Sequence, residues 1–245
     1  MRTVQITFST YSDIGKRGNN EDSIGAWNRG EQHCFVLCDG LGGHAMGEDA
    51  SALVVEVFQN MFADDTKASE FLNDAFCAAQ DILTAEQKAR NAEKQMRTTC
   101  AALVLDQSHA YIGHVGDSRV YAFSKNKVLK RTLDHSVPQM LALTGEIKES
   151  EIRFHPERNI LLRVMGEKWE SPMQELQKPI PLRKCNAFLL CSDGFWELIE
   201  ENEMVKLLQQ STSVSEWLTK MAAVVQQKGI GKNTDNNSAI AIWIN

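Results

Sequence analysis

The chain has 245 residues, 43% of them hydrophobic, with a formal net charge of −6 and a pI near 5.6. That acidity argues against a nucleic-acid binder, which would carry a basic face. No run of about 18 apolar residues is present to span a membrane. The first seven residues lack the apolar core of a signal peptide, so the expected compartment is the cytoplasm.

In chain order, residues 4–9 and 33–38 read as strands. Residues 47–62 read as a helix, with Ala50, Leu53, Val54, Val57, Phe58 and Met61 at helical spacing. A second long helical pattern runs over about 68–94, through Phe71, Leu72, Ala75, Phe76, Ala79 and Leu83. The period then changes. Residues 100–105, 110–115 and 119–123 are short strands separated by turn residues. Strands are expected again at 188–191 and 238–244, with helices between them at 201–210 and 214–227. Two long consecutive helices followed by adjacent short strands suggest antiparallel sheets covered by helices, an α+β chain without strict βαβ alternation. No repeat, low-complexity tract or linker interrupts it, so one domain is expected over 1–245. The six cysteines, at 34, 38, 77, 100, 185 and 191, lie mostly in apolar runs and read as small core residues. Cys34 and Cys38 share a strand face, but no CxxC pair supports zinc.

The informative feature is a set of acids at turns. Apolar strands end in Asp39-Gly40 and in Asp193-Gly194. Asp117 sits in Gly116-Asp117-Ser118-Arg119 between two strands, Asp235 stands just before the last strand, and Glu21 and Asp22 stand together before another apolar segment. Asp and Gly are also ordinary turn residues. Strand ends on one edge of a sheet can nonetheless converge, and converging carboxylates repel unless cations neutralise them. Oxygen-only ligands favour Mg²⁺ or Mn²⁺, and two such ions can activate water against a phosphoryl group. Arg17, four residues before Glu21, offers a planar fork for phosphate oxygens.

A competing pattern is present. The stretch from Gly40 to Ala45 fits a dinucleotide-binding loop, with Asp64 and Asp65 near the position of a ribose-binding acid. Asp39 would then place a negative charge beside the pyrophosphate, and the later elements do not alternate strand and helix.

Taken together, the motifs resemble those of the metal-dependent phosphatases of the PPM (PP2C-type) family, in particular its compact bacterial members. The resemblance rests on Arg17-Gly18-Asn19-Asn20-Glu21-Asp22, on the stretch from Asp39 to Glu48, and on Thr98-Thr99 and Gly116-Asp117-Ser118-Arg119. Asp134-His135-Ser136, His155-Pro156-Glu157-Arg158-Asn159, Ser192-Asp193-Gly194 and Asp235-Asn236 follow in the family's order. It implies a β-sandwich of two antiparallel sheets flanked by helices. It implies two core Mn²⁺ or Mg²⁺ ions, with Asp39, Asp193 and Asp235 on the first. Asp39 and the Gly40 carbonyl would serve the second, with Glu21 acting through water and Asp22 in support. A possible third ion would lie on Asp117 and Asp193. Arg17 would hold the substrate phosphate, and His44 would serve as a general acid or merely shape its turn. Arg119 would be a structural partner near the sheet.

The reaction the resemblance implies is direct attack of metal-bridged hydroxide on phosphoserine or phosphothreonine in proteins, opposing a bacterial Ser/Thr kinase. A monomer without nucleic-acid or membrane partners is expected. Residues of about 136–159 would form a flap beside the site, mixing Met140, Leu141, Leu143 and Ile147 with several charges. The rival readings are a phosphoprotein-binding regulator of the same fold with little activity, a phosphatase for another phosphoester, and a dinucleotide-binding oxidoreductase.

Overall fold

The computed structural model describes residues 4–41, 46–63 and 67–245. Strands β1 (Ile6–Asp13), β2 (Asp22–Arg29) and β3 (Gln32–Leu41) precede helices α1 (Met46–Phe62) and α2 (Ala68–Arg90). Strands β4 (Arg97–Thr98), β5 (Cys100–Leu105), β6 (His109–Val115), β7 (Arg119–Phe123) and β8 (Val128–Arg131) follow. Helix α3 (Val137–Thr144) and a 3-10 turn at Glu149–Phe154 lead to β9 (Glu175–Leu176), β10 (Ile180–Pro181) and β11 (Ala187–Cys191). Helices α4 (Asp193–Trp196), α5 (Glu201–Gln209) and α6 (Val214–Gly229) precede the last strand, β12 (Asn237–Ile244).

Every strand pairing among these elements is antiparallel. One sheet runs β1-β12-β11-β7-β8. The other runs β10-β6-β5-β3-β2, with β4 added to β3 and β9 to β6. The period-2 geometry of strands explains the layers. Phe35 and Leu37 of β3 face Leu103, Val120, Phe188 and Ile240 in a core between the sheets. Their neighbours Cys34, Val36 and Cys38 point the other way, under Phe58, Phe71 and Phe76 of α1 and α2. On the far side, Tyr121, Leu189, Cys191 and Ala239 pack under Trp196, Trp217 and Met221 of α4 and α6. Both faces of the central strands are therefore buried, which is why their sequences are continuous apolar runs rather than alternating ones. All six cysteines are free, and five are buried.

Three boundaries differ from the sequence reading. β1 continues to Asp13 because β12 pairs with it along its length, from Ile6↔Ile244 to Asp13↔Asn237. α2 stops at Arg90 because Asn91 adopts a left-handed conformation (φ 54°) and its N–H closes the last turn. β3 does not end in a turn at Asp39-Gly40 but runs on to Leu41, where it leaves β5 and pairs with β4. The parallel βαβ unit that a dinucleotide-binding loop requires is not formed by these strands, and that reading is set aside.

Candidate active site

Asp39 sits on extended backbone whose hydrogen bonds come from a distant segment. Its N–H donates to Thr99 Oγ1 at 3.0 Å, and its carbonyl accepts from Thr99 N–H at 2.8 Å and Thr98 Oγ1 at 2.9 Å. Asp22 is its direct cross-strand partner, so the pairing of β2 with β3 sets two carboxylates side by side. Gly40 follows at a close crossing. A Cβ there would lie 2.2 Å from the Gly47 carbonyl at the start of α1, so only glycine fits.

The other sheet supplies Asp193 and Asp235. Asp193 opens α4, two residues after β11 ends. Asp235 precedes β12, accepts the Asn236 N–H through Oδ1 at 2.8 Å and is ion-paired with the Arg17 guanidinium through Oδ2. Arg17 lies in the β1–β2 loop, which is stitched to this segment by Lys16 N–H on the Thr234 carbonyl at 3.0 Å. Asp117 comes from the link between β6 and β7, where Gly116 adopts φ +100°.

These groups meet in one cavity of about 380 Å³. Its lining includes Arg17, Glu21, Asp39, Gly40, Asp117, Asp193 and Asp235, with Asn159 at the end of the 136–159 segment and Leu161 just beyond it. Asp22 lies beneath, accepting a hydrogen bond from Ser192 Oγ at 2.9 Å. Of the site residues read from the sequence, the structure thus brings together all but His44, which falls outside the described residues, as do Asp64 and Asp65.

The carboxylates are electrostatically incompatible on their own. Burial pushes Asp39 well above the ordinary carboxylate range, and Asp22, Asp193, Asp117 and Asp235 push it further. Burial raises Asp117 strongly, with Asp193 and Asp134 adding to it. Burial lifts Asp193 to about 6, helped by Asp235. Burial also lifts Asp22 to about 7, against the hydroxyls of Ser238 and Ser192. Among the described residues, Asp22 Oδ1 and Asp193 Oδ1 are buried with no hydrogen-bond partner, although an unpaired buried carboxylate oxygen is costly. A hard divalent cation answers both features: it takes oxygen ligands and cancels the repulsion. The residues present therefore fit the metal ions that the sequence implies.

Two features of the site had no role assigned to them in the sequence reading. Asn236 is the hub of the site: its Nδ2 donates to the carbonyls of Ile14 at 2.9 Å and Asn19 at 3.0 Å, and its Oδ1 accepts the Glu21 N–H at 2.9 Å. The other is a second titratable cluster, His114, His135 and Glu175, behind the Asp117 link. Its imidazoles stack at 4.5 Å with planes 18° apart, so their in-plane lone pairs do not converge on one ion. His135 Nδ1 also accepts the Gly116 N–H at 3.1 Å, which puts the proton of the neutral ring on Nε2. This cluster is built as a support.

A sandwich with an oxygen-only acidic cleft at the edge of its sheets, and an arginine at the mouth of that cleft, defines the class of metal-dependent phosphatases. The protein phosphatase 2C family model matches residues 11–237. The serine/threonine phosphatase stp of Listeria welshimeri is 32% identical over 221 residues, covering 84% of each chain. Crystallographic Stp1 from Staphylococcus aureus superposes with a TM-score of 0.89 at 28% identity, over 98% of this chain and 96% of that one. The catalytic domain of the phosphatase PstP, solved with two manganese ions, gives a TM-score of 0.83 at 25% identity over 99% of both chains. The chain belongs to the protein phosphatase 2C family and is a serine/threonine protein phosphatase of the bacterial type. Among the described residues, no helix is long and apolar enough to cross a membrane.

Proposed function

We propose that the chain hydrolyses phosphoserine and phosphothreonine in proteins with the help of two divalent cations, Mn²⁺ or Mg²⁺, and that it opposes a bacterial Ser/Thr kinase. The observation that carries this reading is the convergence of Asp39, Asp193 and Asp235 from two different sheets on one cavity, next to Arg17. When bound, such ions supply Lewis acidity and make hydroxide available at neutral pH. The chain's own groups do the rest. Asp39, Asp193 and Asp235 present carboxylate oxygens, with the Gly40 carbonyl beside them and Glu21 and Asp22 in support. Asp117, with Asp193, offers a place for a third ion. Arg17, with its side chain half exposed at the mouth, carries a guanidinium suited to two phosphate oxygens at once. Among the described residues that line the cavity there is no Ser, Cys or His to act as a nucleophile, and on this reading the carboxylates are occupied as ligands of the ions, which favours direct attack by water without a phosphoenzyme.

The test is hydrolysis of p-nitrophenyl phosphate and a phosphothreonine peptide in chelator, in Mn²⁺, and by Asp193→Asn in Mn²⁺. Activity restored by Mn²⁺ and lowered by at least ~10²-fold in the variant is expected. Folded, Mn²⁺-loaded protein that leaves both substrates intact sinks the reading.

A further inference from the structure

Asp117 reaches the cavity from a short link that should be free to turn, yet the peptide groups around it are fixed by residues that do not line the cavity. His135 Nδ1 accepts the Gly116 N–H at 3.1 Å. The backbone N–H of His135 donates to the Gly116 carbonyl at 2.9 Å. The indole N–H of Trp196 donates to the Asp117 carbonyl at 3.0 Å. The Gly116 carbonyl and the Asp117 N–H share one rigid peptide plane, and the Asp117 carbonyl belongs to the next. Holding both planes fixes φ and ψ of Asp117, and with them the direction of its Cα–Cβ bond and the rotamers open to its carboxylate.

The holders are themselves immobile. The Arg119 guanidinium lies 3.4 Å from the centroid of the Trp196 ring and makes a buried two-pronged ion pair with Asp134 at 2.8 and 2.7 Å. Trp196 is also the last residue of α4, the single helical turn that begins with Asp193. One turn of helix therefore sends a carboxylate into the cavity and an indole N–H to the backbone of Asp117.

We infer that Trp196 and His135 are positioning residues: the His135 backbone N–H and the Trp196 indole fix the peptide planes on either side of Asp117, the His135 ring anchors the Val115–Gly116 plane that leads into them, and together they hold the Asp117 carboxylate opposite Asp193 for a divalent cation. The inference rests on the reading of Asp117 and Asp193 as metal ligands.

Mn²⁺ uptake by the whole chain, followed by electron paramagnetic resonance of the free ion, tests it. Trp196→Phe keeps an aromatic ring near Arg119 but removes the N–H together with part of the buried indole, so the His135 variants control for lost packing. Its weakest-bound Mn²⁺ should loosen about tenfold, as expected when a group that orients a ligand is lost, while the tighter ions bind as before. Asp117→Asn should lose the same ion. His135→Asn, whose amide oxygen takes the place of Nδ1, should titrate like the wild type, and His135→Leu like Trp196→Phe. If Trp196→Phe does not fold, the two His135 variants decide the matter. A Trp196→Phe curve that superimposes on the wild type while Asp117→Asn is shifted overturns the inference and leaves the ligand reading intact. An Asp117→Asn curve that superimposes on the wild type removes the ligand reading and the inference with it. Equal loosening of every ion in Trp196→Phe means general loss of structure and also overturns the inference.

Discussion

His135 carries more than a hydrogen bond to Gly116. Burial lowers its imidazole to about 3, with His114 and Arg163 acting in the same direction and Asp134 opposing them. Burial lowers His114 as well, against the Leu133 carbonyl, Glu175 and Asp134. A histidine whose folded value is depressed stays neutral in the native state while the unfolded chain takes up a proton below about 6.5. The unfolded state then binds more protons, so stability falls as pH drops from about 6.5 toward 3. Between pH 6.5 and 5 the His135 contribution amounts to ~2 kcal/mol. His135→Asn cannot titrate but keeps an acceptor for Gly116, so it should lose less stability than the wild type over that interval. Denaturant unfolding of both proteins at pH 7 and pH 5 measures the difference. Equal losses would mean that His135 is solvated enough to protonate in place.

At the level of elements, what the sequence made visible was what packing dictates. The long helices are amphipathic, and the inner strands are apolar runs bounded by turns, so both read correctly from periodicity. β2 did not, because Asp22–Arg29 holds Gly25 and several polar residues and is a strand only through its pairing with β3. Asp39 read as a turn residue because Asp-Gly usually is one; the Thr98-Thr99 hydrogen bonds that keep it extended come from about sixty positions away. Asn236 and His135 stood in the motifs without a role, and Trp196 in none, since their hydrogen-bond partners are distant in sequence. The carboxylates themselves were legible because each lies within two residues of a strand end. The 136–159 segment is tied down in a way the sequence did not suggest. Arg153 in its 3-10 turn donates to the carbonyls of Trp196 at 2.7 Å and Ile199 at 3.0 Å and pairs with Glu201 at 2.9 Å. Arg153→Leu keeps bulk and removes all three bonds. Amide exchange across 137–159 should quicken, and global stability should fall by ~1.5–3 kcal/mol. Unchanged protection there would show that Ile152 and the apolar contacts hold the segment alone.

On the scale of the whole molecule, the acidic cavity lies where the two sheets meet. Asp39 belongs to β3 of one sheet, Asp193 and Asp235 adjoin β11 and β12 of the other, and Asp117 lies on the link that passes from β6 to β7. Repulsion among these carboxylates therefore acts between the sheets, against the core formed by Phe35, Leu103, Phe188 and Ile240. On the function proposed above, a cation held by both sides would turn that repulsion into a staple, and ligand linkage would convert its affinity into stability. At a hundred times the dissociation constant, each such ion adds about 2.7 kcal/mol. For a chain of this size that raises Tm by roughly 5–10 °C. Thermal unfolding in chelator and in Mn²⁺ should show this rise in the wild type and little of it in Asp39→Asn. In chelator the order should reverse, with Asp39→Asn melting above the wild type, because the amide removes a buried carboxylate that its neighbours oppose. An undiminished Mn²⁺ response in Asp39→Asn would mean that the ions bind elsewhere and that the sheets hold together without them.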